Sequence, residues 1–350
     1  MNFSFDDQQV QFRDAVRSFL VVQAAPEVLR EHWETTDSGR SPEMRQKITE
    51  QGLTALSVPE AYGGLQQGDL DWVLLLQEVG YHGIPDSLSD AAYVGVGIVA
   101  ALEDEAFKSE WLGRMCEGKA RLAISHPLNP LVHDAQIADL ILLWHNDEVH
   151  AATPDQVGLE LNPSIDASRR LYKLDWTPSD ATRVCDAASG KAIWAQAVNR
   201  AAVAVGAQMV GLAQRMLDLG VDYSAQRKQF GKPIGSFQAI KHQMADIAVK
   251  IEFARPVLHR AAYALQHGDA TLEAKVSHAR LACAEAALLA ARNAMQAHGA
   301  MGYTWEADLQ MFMKRAWALE SFWGDRLFHK QRVAQALFAA DAQIGPGTTF

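Results

Sequence analysis

The sequence predicts a mainly α protein with a small β segment in its middle: helix bundle, short β insert, helix bundle. Three observations carry that expectation. Apolar residues recur at helical spacing towards both ends, and Phe237, Ile240, Met244, Ile247, Ile251, Ala254 and Leu258 step by three and four throughout. Between about residues 120 and 190 the apolar runs are short and cut by Asn-Asp, Pro and Gly, which is how strands and turns read. Residues 274–298 are alanine-dense, a composition that suits helices packed close together.

In chain order, Val10, Phe12, Val16, Phe19 and Leu20 give the N-terminus an amphipathic helical face. The stretch VPEAYGGL (58–65) is a punctuated loop, because Pro59 and the Gly63-Gly64 pair interrupt regular structure. Residues 70–80 and 87–117 return to a helical pattern, joined through Gly83 and Pro85. Leu140 to Trp144 is the clearest strand-like run, and from Ala192 the pattern is helical almost to the end. The expected domains are therefore 1–119, 120–191 and 192–350, with no internal repeat and no low-complexity segment.

Composition limits the function. The 350 residues are enough for a large core, and 49% hydrophobic with 21% charged is ordinary for a soluble globular protein. Thirty-two Lys and Arg against 42 Asp and Glu leave a net charge of −10, which favours neither nucleic acid nor an anionic membrane as a partner. Cys116, Cys185 and Cys283 lie far apart with no Cys-x-x-Cys pair, so a reduced compartment is expected and a metal site is not. The N-terminus carries acids early and does not read as a signal peptide. No apolar run reaches ~18 residues, so no membrane span is expected and the chain reads as cytoplasmic.

QRKQFGKPIG (226–235) interrupts the C-terminal helices. Gly231 and Gly235 allow tight turning, Pro233 fixes φ, and Ser236 is a candidate N-cap for the next helix. That places Arg227 near the end of one helix and Phe230 at the corner. A guanidinium there can grip a phosphate while the ring covers an aromatic ligand. The competing reading is a plain helix–helix corner with solvated cations.

Two C-terminal blocks decide between them. Tyr223-x-x-x-Arg227-x-x-Phe230-Gly231-x-Pro233-Ile234-Gly235-x-Phe237-Gln238 resembles a signature of the acyl-CoA dehydrogenase family. Gln296-x-x-Gly299-x-x-Gly302-Tyr303, followed by Glu306, is similar to a second. VPEAYGG and FDDQQVQFRDAVRSFL resemble the family's N-terminal domain, so the likeness covers nearly the whole chain. It implies an N-terminal helical domain, a shortened middle β domain and a C-terminal four-helix bundle around FAD, in subunits that pair. It further implies that Arg227 pairs with the cofactor's pyrophosphate and Phe230 packs on the cofactor, while Gln238, Gln296 and Gly299 line its ADP portion. The corner would reach across to a flavin held mainly by a neighbour. Ala300 stands where many members have a second glycine.

The resemblance fails where the family keeps its base, a glutamate that removes the α-proton of an acyl-CoA thioester. Counting from Glu306, that position falls on Trp323, and indole is no base. The other usual position, on the helix before the corner, falls near Ala201, flanked by Arg200 and Ala202. Asp325 and Glu320 are the nearby carboxylates that could substitute. In the β segment, AISHPLNPLVHDAQIADLILLW replaces the family's flavin-holding loop; Ser125 and His126 could keep part of a ring contact, though His126 before a proline reads as a turn residue. His133-Asp134 looks like a charge-relay pair without a nucleophile, which reads as a surface turn. Small residues around Gly95 could make room for a bulky acyl group or serve ordinary helix packing.

Three functions follow. One is the supporting chain of a heteromeric enzyme, similar to the short chain of those acting on steroid side-chain thioesters, with a longer partner that supplies the base. Another is a self-sufficient dehydrogenase, as homodimer or tetramer, using Asp325 or Glu320. The last is a helical scaffold without flavin. In the enzymatic cases the resemblance implies an acyl-CoA substrate, FAD and electron-transfer flavoprotein as acceptor.

Overall fold

The computed structural model describes residues 4–34, 39–342 and 345. Helices α1 (Asp7–Gln23), α2 (Pro26–Glu34), α3 (Pro42–Glu50) and α4 (Asp69–His82) come first. A π-helical turn, Ser89–Gly95, runs into α5 (Val96–Ala100), and α6 (Glu105–Cys116) follows. The strands are β1 (Leu122–Ser125), β2 (Val132–His133), β3 (Leu140–His145), β4 (Glu148–Ala152), β5 (Gly158–Asn162), β6 (Leu171–Asp175) and β7 (Arg183–Cys185). Then come α7 (Ala187–Gln226), the hairpin β8 (Lys228–Gln229) and β9 (Lys232–Pro233), and α8 (Gln238–His267). Helices α9 (Leu272–His298), α10 (Leu309–Glu320) and α11 (Arg326–Leu337) complete the chain. The fold is thus mainly helical with a small β portion, as the sequence predicts.

Local chemistry explains the boundaries. Asp6 and Gln9 form a capping box that starts α1, Ser41 accepts from Met44 N (3.1 Å) before α3, and Asp104 accepts from Phe107 N (3.0 Å) before α6. Gly268, at φ +64°, ends α8 in the left-handed region. Two boundaries differ from expectation. The long helix α7 begins at Ala187, five residues before the periodic pattern becomes clear. Ser236 does not cap α8: its hydroxyl donates to Pro233 O (2.7 Å), and Phe237 takes the cap position without a side-chain bond.

The chain forms two compact units. One comprises Glu27–Gly68 and Pro85–Ala201. Its sheets run β1-β3-β4-β7, with β1 and β3 parallel, and β2-β6-β5, antiparallel. Ala123, Val132, Ile141, Leu143 and Ala152 form the core of this β portion, with Tyr172 and Trp176 packed against it. The expected helix over 87–117 is here interrupted twice, by the π-helical turn and again between α5 and α6.

This unit also corrects the surface-turn reading of His133-Asp134. Both are buried, and Asp134, at φ +60°, is fully enclosed. Arg40 Nε donates to Asp134 Oδ2 (2.9 Å), with Nη2 at 2.7 Å from Oδ1 as a less aligned ion pair. Arg121 Nη1 reaches Asp134 at 3.4 Å and Asp86 at 3.0 Å, and Arg45 reaches Asp86 at 3.4 Å. Arg40 Nη2 also donates to His133 Nε2 (2.6 Å), leaving Nδ1 to carry the ring proton. The pair is part of a buried ionic network, not a solvated turn. His126 does form a turn, bridged to Asn129, and burial against Trp144 and Trp194 pushes its pKa down to about 4.

The other unit comprises Met1–Pro26, Asp69–Ile84 and Ala202–Phe350. Its apolar centre is built from α4, α7, α8, α9 and α10. Alanines 274, 279, 286, 287, 290, 291 and 294 of α9 are all buried, which is what the alanine-dense stretch predicts. Helices α4 and α7 meet backbone to backbone: a Cβ on Gly80 would overlap the Gln208 carbonyl, and one on Gly211 would overlap the Gln77 carbonyl.

Candidate functional site

The corner after α7 is a two-residue hairpin. Lys228 and Gln229 pair with Pro233 and Lys232, and Phe230 and Gly231 at the tip have φ of +53° and +77°. Both tip residues are left-handed, the requirement of the turn whose twist matches its strands. A phenylalanine pays steric strain in that region, so its place there is set by the turn rather than by its own preference. Ile234 N donates to Arg227 O (2.8 Å) and closes the base of the loop.

The result is an outward-facing group of side chains. Phe230 is 91% exposed and meets Phe237 edge-on at 6.2 Å, and Lys232 Nζ lies 4.5 Å from the Phe237 ring. Arg227 and Lys228 are exposed, and among the described residues neither side chain has a protein partner. Gln238 is the first residue of α8 and is also exposed.

The second block is held at the same end of this unit. His298, at the C-terminus of α9, stacks on Tyr223 in the last turn of α7, with centroids 4.2 Å apart. Asn293 Nδ2 donates to Gln243 O (3.2 Å), tying α9 to the first turns of α8. Gln296 and Gly299 are exposed there, and Gly299 has φ +60° and ψ −136°, a conformation that a side chain disfavours. They line a cavity of about 370 Å³ with Arg292, Tyr303 and Trp317. Arg292 and Trp317 were not singled out from the sequence. The available signal was that Arg292 precedes Gln296 by four residues on one helix face.

The position at which the resemblance places the family's glutamate looks quite different. Trp323 is fully buried, with φ +56°, between α10 and α11. Arg280, also buried, donates to the Leu319 and Glu320 carbonyls (2.6 and 2.8 Å) and so caps the end of α10; burial pushes its pKa down to about 10. His329, beside the Trp323 carbonyl, hydrogen-bonds with Ser277 Oγ (3.1 Å), and burial together with Arg280 and Arg332 pushes its pKa down to about 3. Asp325 is exposed and is the N-cap of α11, accepting from Phe328 N (2.8 Å). Glu320 is the half-buried last residue of α10. Ala201 is buried on α7.

Comparison with known proteins agrees with the fold. Residues 6–119 match the acyl-CoA dehydrogenase N-terminal domain and residues 188–338 the C-terminal domain. The chain belongs to the acyl-CoA dehydrogenase family, whose members are FAD-dependent oxidoreductases. It is similar to acyl-CoA dehydrogenase IpdE2 of Mycolicibacterium smegmatis, 31% identical over 312 residues that span 89% of this chain and 92% of that one. Among solved structures, butyryl-CoA dehydrogenase from Megasphaera elsdenii superposes with a TM-score of 0.86 at 21% identity, covering 96% of this chain and all of the other. The ChsE4–ChsE5 complex from Mycobacterium tuberculosis gives 0.85 at 19%, covering 98% and 100%.

FAD is the cofactor of this family, and the corner fits part of it. An unpaired guanidinium, an uncovered ring and a glycine whose backbone rejects a side chain suit a phosphate next to an aromatic group. Among the described residues no helix is long and apolar enough to cross a membrane.

Proposed function

We propose that this chain is the supporting subunit of a heteromeric acyl-CoA dehydrogenase. A longer chain of the same family supplies most of the FAD site and the catalytic carboxylate. This chain completes the cofactor site with Arg227, Phe230, Gln238, Gln296 and Gly299. One contrast carries the reading: the cation-and-ring corner is exposed and unpaired, whereas the place of the family's base is filled by a fully buried indole.

Each side chain has a part that its chemistry supports. Arg227 offers paired N–H donors to a pyrophosphate, and Phe230 supplies an apolar face. Gln238 and Gln296 offer amide donors and acceptors, and Gly299 lets the backbone approach closely. Bound FAD would supply the redox chemistry of the α,β-dehydrogenation, and a carboxylate of the longer chain would remove the α-proton. The neighbour ChsE4–ChsE5 is itself a complex of two components, which supports a heteromeric assembly. A bulky, steroid side-chain-like acyl-CoA as substrate and electron-transfer flavoprotein as acceptor rest on the family resemblance.

Co-expression with a longer homologue tests the assembly. The expected result is flavin absorbance and acyl-CoA-dependent dye reduction in the complex and neither in this chain alone; a yellow, active single chain refutes the proposal. In the complex, Arg227→Ala is expected to weaken FAD binding about 10- to 100-fold, the worth of a charge-assisted hydrogen bond. Flavin fluorescence on dilution measures this. Melting of the isolated chain is expected to stay unchanged, because the guanidinium has no protein partner to lose.

Asp325→Asn and Glu320→Gln test for a base in this chain. Asparagine caps a helix about as well as aspartate, so the first variant removes the charge and keeps the fold. Both are expected to leave turnover of the complex within about twofold. A fall of the 10²–10⁴-fold size typical of a lost general base would place the chemistry here.

A further inference from the structure

Between Tyr223 and Ala245 the chain carries Arg227, Lys228, Lys232 and Lys241 and no Asp or Glu. The whole chain has a net charge of −10, so everything outside this stretch carries −14. All four cations are exposed, and among the described residues none of them stands in an ion pair. Other exposed lysines do meet carboxylates: Lys119 with Glu117 (2.8 Å), Lys173 with Glu160 (3.7 Å) and Lys250 with Glu285 (3.4 Å). The acidic total hides a local positive surface.

The fold gathers these charges instead of spreading them. Lys228 and Lys232 stand on the two strands of the hairpin, β8 and β9, and paired strands lie about 5 Å apart. Lys232 Nζ lies 4.5 Å from the Phe237 ring, and the Phe237 carbonyl accepts from Lys241 N (3.2 Å) as α8 begins. The first turn of α8 holds no acid, so Lys241 adds to the positive end of the helix dipole. Below about 0.1 M salt the Debye length exceeds about 10 Å, and neighbouring cations then act as one field. The lone chain has no carboxylate in this stretch to relieve their repulsion.

We propose that Lys228, Lys232 and Lys241 form a steering surface for an acidic face of the longer chain. This inference rests on the heteromeric reading above and names the chemistry of the partner's contact. A bound pyrophosphate carries one negative charge on each phosphate, so four cations leave an excess even with FAD held at Arg227. A protein face fits that excess better than an extended polyanion does. Nucleic acid or a lipid surface would bring its charge against a chain that is elsewhere −14, whereas a protein can place a few carboxylates opposite the corner alone. Complementary charge of this kind acts chiefly on the rate of association.

Stopped-flow mixing of this chain with its longer, FAD-loaded homologue measures the association rate between about 20 and about 500 mM NaCl. The expected result for the wild type is a fall of about tenfold or more over that range. Lys228→Gln, Lys232→Gln and Lys241→Gln combined are expected to slow association about tenfold at the lower salt and to flatten the salt dependence, with dissociation changed less than about threefold. Arginine at the same three positions should restore the wild-type rate, and circular dichroism verifies folding of both triple variants. The salt dependence of the wild type stands as a test without any variant. A salt-independent rate, or a glutamine variant as fast as the wild type, would overturn the steering surface and leave the heteromeric reading intact. Failure to form a complex would overturn both. Tighter binding to phosphatidylserine vesicles or to single-stranded DNA than to the homologue would overturn the assignment to an acidic protein face.

Discussion

Asp134→Ala is expected to destabilise the protein by about 3–5 kcal/mol, the cost of removing one partner from a buried ion pair. Arg40 and Arg121 would stay buried and lose this carboxylate, while Arg121 keeps its 3.0 Å contact with Asp86. Asp134→Asn separates two contributions, since asparagine tolerates the left-handed backbone at this position and alanine does not. The asparagine variant is therefore expected to retain a few tenths to one kcal/mol that alanine loses. Urea titration at neutral pH measures both.

The same network makes a prediction for acid. Burial alone would raise the Asp134 pKa, but Arg40 and Arg121 outweigh it and hold the carboxyl well below the usual range. Burial likewise opposes, and Arg121, Arg45 and Arg40 overcome, the shift at Asp86, which is also lowered. A depressed folded-state pKa stabilises fully above the unfolded value of about 3.9 and is lost as pH falls towards the folded value. The gap in stability between wild type and Asp134→Asn should thus be constant from pH 7 to 5 and narrow from about pH 4 downward. A gap that stays constant to pH 2 would mean that the carboxylate charge contributes nothing.

Gly211→Ala and Gly80→Ala are each expected to cost about 3 kcal/mol, at the upper end for overpacking, because the added methyl meets backbone that cannot rotate aside. Helix propensity alone predicts the reverse, a gain of about 1 kcal/mol for each change. The sign of the melting shift therefore decides between the two. The double variant should cost less than the sum of the singles, since either methyl already parts α4 from α7. Additive losses would show that the two sites yield independently.

Local signals in the sequence were enough for much of this architecture. Helical spacing from Phe237 to Leu258 gives α8, and the Gly-Lys-Pro-Ile-Gly run marks a tight turn because turn chemistry acts over a few residues, though not that the turn is a two-residue hairpin. The pairing of Asp134 with Arg40, 94 residues earlier, leaves no local trace, so His133-Asp134 reads as a turn until the chain is folded. Ser236 illustrates the same limit at short range, where a hydroxyl expected to cap a helix bonds to Pro233 instead. The grouping of Arg292, Tyr303 and Trp317 around Gln296 depends on how α9 and α10 pack, which periodicity does not encode. The identity of residue 323 was legible; its complete enclosure was not.

Phe230 carries a consequence for handling the protein. A phenyl ring held almost wholly in water, on a loop that already bears steric strain, makes the lone chain sticky at one point. That adhesiveness leaves thermal unfolding untouched and shows instead in the solubility ceiling and in self-association on concentration. Replacing the ring with serine should raise the ceiling, while whatever natural surface covers it should do the same without mutation.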